Sequence, residues 1–153
     1  YSLLPWLSVY GNVGIAVNQI YKGTKYFERR SMIKRAIERV NLGDASYKKP
    51  GELSGGMRQR NSVARTLSMN PKLLLFDEPM AGLDKTSSQL MIDLFKKLKV
   101  KAPILLIEHD MESVFALADR ISVLDYGSLI ASGNKKEIKS NAKVQEVYLG
   151  DEN

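Results

Sequence analysis

Three short stretches carry residue types that could act on a phosphate. Ser54-Gly55-Gly56 opens a basic, helix-compatible run, "ELSGGMRQR" at 52–60. A serine N-cap followed by glycines leaves backbone N–H groups free, and the helix dipole adds partial positive charge. Glycine also lets an oxyanion approach the backbone closely. The same residues suit a plain helix start. Asp77-Glu78 closes the apolar run "LLLF". Open α/β sheets gather ligands at the carboxyl ends of their strands. An aspartate there can hold Mg²⁺ directly or through water, and an adjacent glutamate can polarise a water for attack on phosphorus. Two solvated acids before a turn are the other reading. His109 follows a second apolar run, "ILLIE", where it could hydrogen-bond a terminal phosphate or serve a structural role. Asp84, in "AGLD", reads by itself as the N-cap of the next helix. No Gly-x-x-x-x-Gly-Lys-Ser/Thr loop, the main cradle for nucleotide phosphates, occurs in the 153 residues.

The bulk of the chain bounds the alternatives. A length of 153 residues allows one modest domain with a real core, and 44% hydrophobic with 26% charged residues is ordinary for a folded protein. With no cysteine, disulfides and thiolate metal sites are excluded; with one histidine, a zinc site is not expected. No apolar run approaches the ~18 residues that span a bilayer. The net charge of +6 is local: residues 22–49 hold nine Lys/Arg against three Asp/Glu, and the remainder balances. A solvated helix face accounts for that surplus. A nucleic-acid partner is not expected, because the basic stretch carries no binding motif.

The elements that must position these residues follow from periodicity. Residues 7–21 are apolar enough for a helix, and Ile33, Ile37 and Val40 mark an amphipathic helix over 26–40. The stretch 41–52 reads as a loop. A helix should run from Ser54 to about Met69, stopped by Asn70-Pro71. "LLLFDEP" (73–79) and "PILLIEHD" (103–110) read as buried strands, and Leu90, Leu94 and Leu98 mark a helix between them. A short helix, a third strand "ISVLDYG", a hairpin turn at Tyr126-Gly127 and a tail of helical character complete the chain. Strands separated by helices imply a parallel α/β sheet.

Taken in order, "LSGGM", "LLLFDEP", "AGLD" and "EHD" resemble the ATP-binding cassette (ABC) ATPase family over nearly the whole chain. They are similar to its signature motif, Walker B strand, D-loop and switch-histidine loop. The resemblance implies a P-loop NTPase-like parallel sheet core with a helical ABC subdomain. Residues 1–70 would be that subdomain with the signature helix, and 71–153 the second half of the core. It implies ATP and Mg²⁺ as ligands. Asp77 would position Mg²⁺ through water; Glu78 would orient the attacking water; His109 would contact the γ-phosphate. Ser54, Gly55 and Gly56, with Met57 and Gln59 of the same motif, would meet ATP bound to a second ABC subunit, and Asp84 would couple the two sites across the dimer interface. Met57 stands where many members have glutamine, and Asn61 where they have a small or branched apolar residue.

The resemblance further implies that the family's Walker A loop and Q-loop glutamine precede "YSLLPWL", so the chain is expected to be an N-terminally truncated piece, inactive alone and prone to aggregate through unpaired strand edges. "LLPWLSVYGNV" and the stretch to Arg60 are similar to ATPase subunits of nitrate and taurine/sulfonate importers; the part from Glu108 is similar to branched-chain amino acid importers. The implied function is an importer ATPase at the cytoplasmic face of the membrane, with permease subunits as partners and a solute-binding protein indirectly so. A soluble, non-transport ABC ATPase and a non-catalytic fragment are the alternatives. Trp6 would face the permease, anchor the core, or both.

Overall fold

A computed structural model describes residues 3–149. They form two compact units that divide between Ile107 and Glu108. Among the described residues no helix is long and apolar enough to cross a membrane.

The first unit begins with helices α1 (Val9–Ile20), α2 (Tyr26–Arg39) and α3 (Gly55–Leu67). Ser8 caps α1, its hydroxyl accepting the Gly11 N–H at 3.1 Å. Asn12, fully buried on α1, spends every polar atom on the segment before it. Its Oδ1 accepts the Leu4 N–H at 2.8 Å, and its Nδ2 donates to the carbonyls of Leu4, Leu7 and Ser8. The loop 41–52 contains two short 3-10 turns, Gly43–Ala45 and Pro50–Glu52. It is stitched to α1 by Val9 N–H to the Lys48 carbonyl (2.9 Å) and Tyr10 N–H to that of Ser46 (2.8 Å). Asn41 and Asn70 take positive φ (54° and 52°) just past α2 and α3, the left-handed stop that asparagine tolerates. The surplus cations lie mostly on the outer face of α2, where Arg30, Lys34 and Arg35 are exposed. Trp6, at 66% exposed, is not a core anchor.

Strand β1 (Leu74–Asp77), helix α4 (Lys85–Leu98) and strand β2 (Ile104–Ile107) follow. The strands pair in parallel, from Leu74 opposite Ile104 to Asp77 opposite Ile107. One face is covered: Leu74 and Phe76 are buried, and the Phe76 and Phe95 rings stack with centroids 4.6 Å apart. The expectation of fully buried strands is corrected here. Leu75 (60%) and Leu105 (55%), with Leu73 and Ile107, are exposed on the other face. The burial alternates although the sequence does not. Leu90 also departs from expectation: the buried stripe of α4 is Met91, Ile92, Leu94, Phe95 and Leu98, which leaves Leu90 at its rim.

The second unit holds α5 (Met111–Leu117), β3 (Ile121–Asp125), β4 (Ser128–Gly133) and α6 (Lys135–Lys139), then short helical turns to Leu149. Ile121, Val123, Ile138 and Val144 form its core, with Val114, Phe115, Ala118, Ile130 and Ala131 against them. The third strand does not extend the parallel pair among the described residues; it pairs antiparallel with β4. Tyr126 and Gly127 both take positive φ (43° and 78°), the mirror-image turn that closes a two-residue hairpin, so β3 meets its neighbour in sequence first.

Asn61 contrasts with Asn12. It is fully buried in α3, and neither side-chain polar atom has a partner. Desolvating such groups costs about 1–3 kcal/mol. Asn61→Leu, close in shape and apolar, is expected to stabilise the chain by about 1–3 kcal/mol in denaturant melts; a loss of stability would show that the amide has a partner in solution. The bare sheet face gives a second expectation. Leu75→Lys with Leu105→Lys should shift the purified 153-residue chain from aggregate to monomer in size-exclusion chromatography, with its melting temperature kept. Unchanged aggregation would place the sticky surface elsewhere.

Candidate nucleotide site

The start of α3 is built by its cap. Ser54 is extended (φ −64°, ψ 164°), and its hydroxyl accepts the Met57 N–H at 3.3 Å. Arg58 reaches back, donating to the Leu53 carbonyl at 2.6 Å, and Leu53 is buried. Arg60 wedges between α3 and the end of α2, its guanidinium donating to the carbonyls of Gly56 and Val40 at 3.4 Å each. Burial pushes the Arg60 guanidinium below its ordinary range. Gln59 is half-buried on the same helix.

The two glycines differ in what surrounds them. A Cβ on Gly55 would meet nothing nearer than the Leu83 Cδ2 at 3.8 Å, an ordinary contact. A Cβ on Gly56 would lie 2.7 Å from both Cβ and Oγ of Ser87, closer than real Cβ atoms come. Gly56 is therefore demanded by packing inside the chain. Gly55 is not, and its bare backbone is available to a ligand.

Asp77 ends β1, exposed, in register with Ile107, so the carboxyl ends of both strands coincide. Glu78 follows with φ 44°, and its N–H donates to the Ile107 carbonyl at 2.9 Å. A non-glycine residue in that left-handed region costs of order 1 kcal/mol and recurs at functional sites. Its effect is to take the second carboxylate off the strand's alternation, so two adjacent acids need not share a direction. A tight turn continues from there: the Ala81 N–H reaches the Glu78 carbonyl, Gly82 takes φ 68°, and the Leu83 N–H reaches the Met80 carbonyl. That turn delivers Asp84 to the start of α4, where it is the N-cap. Its Oδ1 accepts the Ser87 N–H at 2.9 Å and its Oδ2 the Ser87 hydroxyl at 2.7 Å. The Ser87 hydroxyl, then its N–H, hold the exposed Asp84 carboxyl below the usual carboxylate range.

His109 lies two residues past β2 and belongs to the second unit. It is exposed, and its N–H donates to the Glu108 Oε2 at 3.2 Å. Asp110 beside it caps α5, accepting the N–H groups of Glu112 and Ser113 and the Ser113 hydroxyl.

Among the described residues no three His, Cys, Asp or Glu groups stand close enough to cage a metal. Mg²⁺ carried on a nucleotide takes most of its ligands from phosphate and water and needs one or two protein carboxylates. Asp77, exposed at a strand end, fits that requirement. A shallow concavity of about 500 Å³ along α2 is lined by Phe27, Arg30, Ser31, Lys34, Arg35 and Glu38 and includes none of these motif residues. The residue that motif reasoning missed is Ser87. It lies 31 positions from Gly56, and no local pattern announces their contact.

Comparison with known proteins places this geometry. The profile of the ABC transporter family matches residues 1–81. The nitrate transport protein NasD of Klebsiella oxytoca is 36% identical over 99% of this chain and 59% of its own length. The bicarbonate transport ATP-binding protein CmpC of Synechocystis sp. is 41% identical over 83% of this chain and 19% of its own. The chain thus spans about three fifths of NasD and less of CmpC. The dimeric, post-hydrolysis structure of the ATP-binding cassette MJ0796 bound to ADP and Pi superposes with a TM-score of 0.76 at 28% identity, covering 87% of this chain and 59% of that one. The α/β fold is that of an ABC ATPase cassette. With the family profile covering more than half of its residues, the chain belongs to the ABC transporter family.

Proposed function

We propose that the chain is part of the ATP-hydrolysing subunit of an ABC importer, with residues 1–70 as its helical subdomain and 71–153 as the second half of its core. One observation carries the reading: the family's motifs stand on the elements the chemistry needs. A serine-capped helix start presents bare glycine backbone, and paired carboxylates close a parallel strand. The names of the relatives, nitrate and bicarbonate transport proteins, support small oxyanions as the solutes.

In this reading Asp77 holds Mg²⁺, which neutralises phosphate charge when bound. Glu78, turned off the strand by its left-handed backbone, accepts a hydrogen bond from the attacking water and aligns it with the γ-phosphorus. His109 donates to the γ-phosphate from the loop after β2. Ser54 and the backbone at Gly55 and Gly56, with Met57 and Gln59 behind them, close over the ATP of a second subunit. The oriented N–H groups of a helix start suit that anion. Asp84 lies at the same interface. The dimeric state of the MJ0796 cassette supports such a pair. The subunit works against the cytoplasmic face of the cell membrane, beside permease subunits that a solute-binding protein supplies.

The test uses the complete subunit with its permease. Glu78→Gln is expected to cut ATP turnover by about 10²- to 10⁴-fold while nucleotide binding is kept; turnover within threefold of the parent would remove Glu78 from the chemistry. Ser54→Ala should cost about 1 kcal/mol of stability as a lost cap. It should also weaken ATP-driven dimerisation, read by light scattering, in the Glu78→Gln background. An unweakened dimer would mean that Ser54 caps α3 and does nothing more.

A further inference from the structure

Gly56 and Asp84 lie in two motifs that the proposed mechanism uses separately, yet one side chain touches both. Ser87, in the first turn of α4, sends its N–H to Asp84 Oδ1 (2.9 Å) and its hydroxyl to Asp84 Oδ2 (2.7 Å). The same Cβ and Oγ occupy the space where a side chain at residue 56 would begin, 2.7 Å from that point. Leu83 adds a second contact, its Cδ2 lying 3.8 Å from where a Cβ on Gly55 would stand. We infer that Ser87 is a positioning residue that locks the start of α3 to the Asp84 turn, so that a phosphate seated at Ser54–Gly56 is held in register with the residues from Gly82 to Asp84.

Three features make the lock specific to serine. The residue must be small, because α3 and α4 approach to van der Waals distance at Gly56. It must carry a donor on Cβ, because the second carboxylate oxygen of Asp84 accepts from it. It must stand three residues after the cap, the position whose N–H an N-cap side chain can reach. Alanine meets the first and third requirements, threonine the second and third; valine fails the first two. The inference also changes the role of Asp84. Both of its oxygens accept from its own chain, so its carboxylate acts first on Ser87, and through it on the helix that carries the anion-binding backbone.

The inference rests on the nucleotide reading of Ser54–Gly56, and the experiment separates the two. In the complete subunit with its permease, Gly56→Ala should lower kcat by about 10- to 100-fold, the scale of loss for a small misplacement of a catalytic element. KM for MgATP should change far less than kcat, because a misplaced helix start disturbs the alignment for reaction without deleting a group that touches ATP. Adding Ser87→Gly opens the space, and Gly56→Ala/Ser87→Gly should return to within about threefold of Ser87→Gly alone. If Gly56→Ala is equally slow in the Ser87→Gly background, Gly56 serves by direct approach to phosphate and the positioning role is overturned. A rise in KM with kcat intact would overturn it as well. A parent subunit without MgATP turnover would sink the functional reading alone. The melting temperatures of the same four proteins would then still decide the contact, which is refuted if the two single effects simply add.

Discussion

Everything proposed for this chain depends on holding one bare helix start still. A helix N-terminus binds an anion with backbone N–H groups that lack intrahelical partners, and it can do so only where no side chain shields them. Glycine supplies that bareness and takes away stiffness in the same step. The structure restores the stiffness from outside the motif. Val63 and Ala64 bury the far part of α3 among the helices, Arg58 ties its first turn to the Leu53 carbonyl, and Arg60 ties Gly56 to Val40. Ser87 closes the remaining side by filling the space that the absence of a Cβ leaves at Gly56. Ser54 stays exposed and Gly55 half-exposed, while Gly56 is buried.

The same economy shapes the turn from Asp77 to Asp84. Eight residues must end a strand, present two carboxylates and start a helix. The left-handed backbone at Glu78 and Gly82 makes the reversals, and the Asp84 cap stops the chain from overrunning. Strain at Glu78 is the one local cost, and its N–H bond to Ile107 fastens it to the neighbouring strand.

Much of this was legible in the sequence, because much of it is local. Ser54 and Asp84 cap the helices they precede, Asn70-Pro71 ends α3, and Tyr126-Gly127 turns the hairpin; each works within four residues of itself. The motif residues fell at the strand and helix ends expected of them for the same reason. What was not legible is set by distance along the chain. The strand after α5 read both as a third parallel strand and as the first arm of a hairpin; among the described residues it pairs with its hairpin partner alone. Leu90 fits the period of α4 but lies off its buried stripe, which runs through Met91 and Phe95, Phe95 stacking on Phe76 of β1. Trp6 is exposed in spite of its size.

The two parallel strands show why pattern alone misleads about burial. "LLLF" and "ILLI" lack alternation, which in a parallel sheet signals side chains suited to burial on both faces. The structure covers only the face that meets α4, through Leu74 and Phe76. Leucine at 73, 75 and 105 and isoleucine at 107 are suited to a second layer, not to water, since a contiguous apolar patch of this kind marks a surface made for contact. The carboxylates proposed to act on the nucleotide stand at the edge of that patch, Asp77 directly after the last apolar side chain of β1. A layer packed on the bare face would lower the dielectric around the strand end without touching either carboxylate, and every charge–charge interaction there would strengthen as water left. Burial of that face and the strength of the proposed site's electrostatics would in this sense rise together.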